Sequence, residues 1–140
     1  METQESKVIV ETTVNAPLEK TWAYWTEPEH IMKWNNASED WHTPHSINDL
    51  RVGGKFLSRM EARDKSFGFD FEGIYDQVSP NERIAYTLGD GRKVQITFTD
   101  LGNATKISEI FDPESTNSVE LQRDGWQAIL DNFKRYVEGN

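Results

Sequence analysis

The stretch RIAYTLGDGRKVQITFTDLGNATKISEIF, residues 83–111, decides the fold. Its apolar side chains recur at every second position: Ile84, Tyr86 and Leu88, then Val94, Ile96 and Phe98, then Ile107 and Phe111. A period of two marks strands with one buried face. Two glycine-bearing breaks, Gly89-Asp90-Gly91 and Gly102-Asn103, cut the stretch into three strands. Opposed residues of an antiparallel pair point the same way, so loop length fixes which faces meet. A two-residue loop at Asp90-Gly91 sets Val94 opposite Thr87 and leaves Ile84 and Tyr86 on the wrong face. A three-residue loop pairs Tyr86 with Val94 and Ile84 with Ile96, and Gly91 suits its left-handed closing position. At Gly102-Asn103 a two-residue loop with glycine first suits a type II′ turn. It pairs Phe98 with Ile107, Val94 with Phe111, and Ile96 with Glu109.

The last pairing puts a carboxylate on the apolar face of the sheet. A buried carboxylate is expensive unless it is paired or neutralised. Two readings stay open. Either Glu109 meets an internal partner such as Arg123 or Tyr86, or reaches the rim; or it is a polar contact inside a ligand cavity, where desolvation raises its pKa.

The alternation extends backward. After Gly53-Gly54, Phe56, Ser58, Met60 and Ala62 share one face, as do Phe69, Phe71, Gly73 and Tyr75. Residues Lys7–Val14 read as a first strand. Asn15 is the expected N-cap of a short helix with Pro17 in its first turn and Leu18, Trp22 and Trp25 at helical spacing. Thr26-Glu27-Pro28-Glu29 forms a capping-box pattern that opens a second short helix through Ile31 and Trp34. From Asn35 to Val52 no period holds, and the segment reads as irregular with one short strand at most. Asn117-Ser118-Val119-Glu120, with Asn117 as cap, opens a long amphipathic helix through Trp126, Ile129, Leu130, Phe133, Tyr136 and Val137. The expectation is a single α+β domain over residues 1–140. A curved antiparallel sheet is wrapped around a long C-terminal helix, with two short helices after the first strand.

Composition narrows the function. The 140 residues hold 24 acidic and 15 basic side chains, a formal charge of −9, which speaks against nucleic acid or an anionic membrane surface as partner. The longest unbroken apolar run, Trp22–Trp25, is too short to span a bilayer. Without cysteine there is no disulfide, thiol catalysis or cysteine-bound zinc. Without a basic-then-apolar opening segment, the expected location is cytoplasmic. Five Trp, seven Phe and four Tyr give a small domain rings enough to fill a core or to line a pocket.

Several segments carry a family resemblance. Asn15-Ala16-Pro17, Trp25-Thr26-Glu27-Pro28-Glu29-His30-Ile31, Val52-Gly53-Gly54-Lys55-Phe56, Phe69-Asp70-Phe71-Glu72-Gly73, Pro80-Asn81-Glu82-Arg83-Ile84 and Gly125-Trp126 occur in this order. In that order the chain resembles the helix-grip, START-like superfamily called SRPBCC, and within it the single-domain proteins similar to the activator of heat-shock-protein-90 ATPase. The resemblance implies a helix-grip fold with a hydrophobic cavity between sheet and helix, used by relatives for lipids, hormones or polyketides. Some relatives are cyclases or hydrolases. Chaperone-activating members carry an additional N-terminal domain, which a 140-residue chain beginning at its first strand is expected to lack.

The expected function is therefore binding of an apolar or lipid-like small molecule between sheet and helix. Phe56, Met60, Phe71, Tyr86, Phe98, Trp126 and Leu130 are the wall candidates, with Ser58 and Glu109 as polar contacts and Trp34 and Trp41 as a lid at the mouth. A solid core built from the same side chains is the competing expectation. A cyclase- or hydrolase-like enzyme would use Glu109 as its one internal acid or base; a co-chaperone or stress-response interaction module is the third alternative. The expected state is a monomer or weak homodimer. No cofactor or metal is expected. His42 and His45 flank Pro44, which argues against a helix, and in a strand they point to opposite sides. His30 reads as a surface residue. No nucleophile elbow is present, and Gly53-Gly54-Lys55 lacks the rest of a phosphate-binding loop.

Overall fold

The computed structural model describes residues 7–140. Its elements run β1 (Val8–Val14), α1 (Leu18–Thr26), α2 (Pro28–Trp34), β2 (Trp41–Asn48), β3 (Lys55–Ala62), β4 (Gly68–Ser79), β5 (Arg83–Leu88), β6 (Lys93–Asp100), β7 (Thr105–Phe111) and α3 (Val119–Glu138). The seven strands form one antiparallel sheet in the order β1-β7-β6-β5-β4-β3-β2, curled into a half-barrel that grips α3.

Both hairpins take the register that face parity demands. Tyr86 lies opposite Val94 and Ile84 opposite Ile96, and the Leu88 amide donates to the Arg92 carbonyl across the three-residue turn. Beyond the second turn Phe98 faces Ile107, Ile96 faces Glu109 and Val94 faces Phe111. Gly91 and Gly102 hold φ of +93° and +94°, values that a side chain would strain.

Three caps differ from expectation. Pro17, not Asn15, precedes the first turn of α1, and no side chain caps it. The Asn15 amide instead donates to Glu138 at the far end of α3. Thr26 turns its hydroxyl back onto the Trp22 carbonyl, so it closes α1, and Glu27 precedes α2 with Pro28 in its first turn. At α3 the cap is Ser118, whose Oγ accepts from the Leu121 amide. Asn117 is drawn away because its amides donate to the Glu114 carboxylate.

The irregular segment holds the one strand allowed for it, longer than expected. It contains β2, an eight-residue edge strand paired with β3. Its register slips between His42 and His45, on either side of Pro44. An edge strand tolerates proline, and the bulge scrambles the alternation that would have revealed the strand. A second slip between Tyr75 and Gln77 in β4 brings Val78, not Gln77, opposite Ile84.

Packing divides the interior along α3. Toward its C-terminus, Leu130, Phe133 and Val137 are fully buried. Phe133 meets the Trp25 and Trp34 rings edge-on at 4.8 Å, and Phe98 is covered by Trp22 at 5.1 Å and Trp25 at 5.9 Å. This end is solid. Toward the N-terminal half of α3 the inner face carries small side chains, Ser46 and Ser58, beside the rings of Phe56 and Phe71. Gly73 is required here for space: a Cβ would stand 2.7 Å from the Thr87 carbonyl oxygen and 3.0 Å from the Phe56 ring. Gly73→Ala is expected to destabilise the protein by about 1–3 kcal/mol, the usual range for overpacking, as read by urea denaturation.

Candidate functional site

At that second end, a half-open cleft of about 300 Å³ lies between the concave face of the sheet and α3. Its rings come from every side: Trp25 and Trp34 from the helical pair, Phe56 from β3, Phe71 and Tyr75 from β4, Tyr86 from β5 and Trp126 from α3. Trp126 lies flat on Phe111 with centroids 3.9 Å apart, and it meets Phe71 edge-to-face with centroids 6.2 Å apart. Helix and sheet therefore touch through Phe111 at one margin of the cleft and stand apart beside it.

The polar groups fall into two sets. On the β2 side, Ser46 Oγ and Ser58 Oγ are 3.3 Å apart, the Tyr75 hydroxyl donates to Asn48 Oδ1, and Asn48 Nδ2 donates to the Thr26 carbonyl at 2.7 Å. This set is internally satisfied, and desolvation lifts the Tyr75 pKa above the ordinary tyrosine range. On the opposite side stand Arg92, Glu109, Glu114 and Gln122. Gln122 is buried and staples the loop ahead of α3: its Nε2 donates to the carbonyls of Glu114 and Asn117, and its Oε1 accepts from the Glu114 amide. Arg92 Nε donates to Asp90 at 2.8 Å.

Glu109 is 5% exposed and has no hydrogen-bond partner among the described residues. Arg123, one partner considered from the sequence, lies on the exposed side of α3. Desolvation alone pushes the Glu109 carboxyl up to about 8. Tyr86, 7% exposed, also lacks a hydrogen-bond partner among the described residues. Its pKa lies well above the ordinary value, first through burial and then through the neighbouring Glu109. No polar side-chain atom among the described residues is both sealed off and unpaired, so the oxygens of both residues front the open space of the cleft.

Of the residues singled out from the sequence, the cleft gathers Trp34, Phe56, Ser58, Met60, Phe71, Tyr86, Glu109 and Trp126. Three lie elsewhere. Phe98 has the right face but sits under α1, and Leu130 lies a turn beyond Trp126 in the solid end. Trp41 packs on Phe67 and Phe69, each at 6.0 Å, one ring away from the lining. Trp34 is a buried wall residue rather than a lid, its indole N–H donating to the Tyr24 carbonyl. Arg92 and Glu114 were not foreseen because they belong to a turn and a loop, where periodicity carries no signal. Gln122 announces itself only as a polar residue on the inner face of α3.

The histidines lie apart from the cleft. His30 is a half-buried surface residue, stacked on Tyr24 at 3.9 Å, with Nδ1 2.7 Å from the Tyr136 hydroxyl. Glu27, Glu29 and His30 bring three potential ligand atoms together at the start of α2, but both carboxylates are exposed. His42 Nε2 stands 3.9 Å from Glu61 on β3. No helix of the described residues is long and apolar enough to cross a membrane.

The model of the family described as Activator of Hsp90 ATPase homolog 1-like protein matches residues 15–138. The chain belongs to this family. Among solved structures it is similar to an AHSA1-like protein from Aeromonas hydrophila, at 42% identity and a TM-score of 0.90 over 96% of this chain and 93% of that one. A protein from Cytophaga hutchinsonii is 58% identical, with a TM-score of 0.83 and the same coverage of both chains. A protein from Chromobacterium violaceum, at 24% identity, a TM-score of 0.85 and coverage of 96% and 99%, shares the fold. No curated protein matches the sequence. The family model thus spans both halves of the interior, from the first helix to the last turn of α3.

Proposed function

We propose that the protein binds an apolar small molecule in the cleft between its sheet and α3, with Phe56, Phe71, Tyr86 and Trp126 as walls. One observation carries the reading: Glu109 is buried without a partner and faces about 300 Å³ of ring-lined space. In a solid core such a carboxyl is paired or replaced, because an unpaired buried charge costs several kcal/mol. Clefts of about this volume that are mostly apolar with a few converging polar groups are the usual form of small-molecule sites. Trp25, Trp34 and Trp126 line the space, so occupancy is expected to change their emission.

The test is a titration with ANS followed by its displacement with fatty acids and polycyclic aromatics, read by probe and tryptophan fluorescence together. Saturable displacement by at least one class is expected. Failure of every class to move either signal overturns the reading. An enzymatic reading has one specific support, a carboxyl with its pKa near 8, suited to proton transfer near neutral pH. In that case Glu109→Gln removes turnover of a substrate, whereas in a pure binder it changes only affinity and stability.

A further inference from the structure

The polar groups of the cleft narrow the chemistry of its occupant. We infer that Glu109 and Tyr86 act together as two hydrogen-bond donors to a single acceptor oxygen, so that the ligand is a ring-sized apolar molecule bearing a carbonyl. This rests on the reading of the cleft as a binding site. Both side chains come from the same concave face, Tyr86 on β5 and Glu109 on β7, with β6 between them. Both are more than nine-tenths buried, both front the cleft, and neither has a hydrogen-bond partner among the described residues. Across β6, Tyr86 lies opposite Val94 and Glu109 opposite Ile96, two residues along on the same face, so both side chains enter one cleft.

Protonation state selects the ligand. Burial keeps the Glu109 carboxyl in its neutral acid form up to about pH 8, and Tyr86 keeps its proton far beyond that. A carboxylic acid held neutral by apolar surroundings is a donor rather than an anion. Two hydroxyl donors in a space with little water favour an acceptor that brings no proton of its own. Around them the lining presents Tyr75 from β4, Arg92 ahead of β6 and Glu114 ahead of α3; α3 itself contributes Gln122 and Trp126 but no charged side chain. Tyr75 is committed to Asn48, Glu114 accepts from Thr116 and Asn117, and Arg92 gives its Nε–H to Asp90 while its terminal N–H groups stay at the cleft margin. Glu109 and Tyr86 are the pair that is both deeply buried and without any hydrogen bond among the described residues, whereas Ser46 and Ser58 already bond to each other.

Three naphthalene derivatives of matched size test this by tryptophan fluorescence: methyl naphthyl ketone, its hydrocarbon isostere isopropenylnaphthalene, and the cationic naphthylethylamine. At about pH 6 the ketone is expected to bind roughly tenfold or more tighter than the hydrocarbon, the worth of a buried hydrogen bond. At about pH 9.5 that advantage shrinks, because ionised Glu109 presents an acceptor to an acceptor and only Tyr86 still donates. Glu109→Gln keeps an N–H donor at the same place, so its preference for the ketone persists and no longer varies with pH. Tyr86→Phe lowers the preference at both pH values. Equal affinity for ketone and hydrocarbon overturns the donor pair while leaving the cleft a binding site. Tightest binding by the amine, strengthening as pH rises, overturns it in favour of a carboxylate counter-ion. If Glu109→Gln retains the pH dependence, Glu109 is not its source and the inference falls. Binding of none of the three, together with failure of the ANS displacement, removes the cleft reading itself.

Discussion

Replacing Glu109 by glutamine is expected to stabilise the protein, and by more as the pH rises. The carboxyl titrates near 8 in the folded chain against an ordinary value of 4.5. Between those limits the folded state holds a proton that the unfolded state has released. Stability of the natural chain therefore falls as pH climbs from about 4.5 to about 8, then levels off. The isosteric amide carries no charge and removes this slope. At roughly 1.4 kcal/mol per pH unit the difference has a ceiling of about 5 kcal/mol, and hydration of the half-open cleft reduces it to on the order of 2–4 kcal/mol at high pH. Urea denaturation of both proteins at about pH 5, 7 and 9 reads the effect. Curves that stay parallel across this range would show that Glu109 is ionised in the folded state and paired.

Phe133→Ala is expected to cost about 3–5 kcal/mol, the range for truncating a fully buried phenylalanine. The ring is fully buried and enclosed by Trp25 and Trp34 at 4.8 Å, so its removal leaves a void at the centre of these contacts. Folded domains hold about 5–15 kcal/mol in total, so the loss is a large share of the whole. A fall in denaturation midpoint at unchanged slope is the expected result. A loss below about 1 kcal/mol would mean that this end of the core is not close-packed.

How much of this was legible in the sequence depends on the kind of information each feature needs. Hairpin registers and the buried position of Glu109 follow from parity and loop length, which are local quantities. β2 was hidden because Pro44 and the bulge beside it break the period that defines a strand. Thr26 and Asn117 have capping chemistry, but Thr26 bonds backward and Asn117 bonds to Glu114, choices made by tertiary context. Periodicity places a side chain on a face but is silent on its position along the element. Phe98 and Leu130 consequently looked like cleft walls and proved to be core, while Ser58 and Phe71 face the cleft. Arg92, Glu114 and Gln122 meet the cleft through a turn, a loop and the first turns of α3, where only the folded path brings them together.

The division of α3 into an interlocked C-terminal half and a half bordering open space has an evolutionary consequence. Leu130, Phe133 and Val137 secure the fold away from the void, whereas Trp25 and Trp34 both pack on Phe133 and contour the void. Substitutions at the void's outer walls can thus reshape it while the interlocked half stays intact, whereas a change at either of those two rings alters scaffold and contour together.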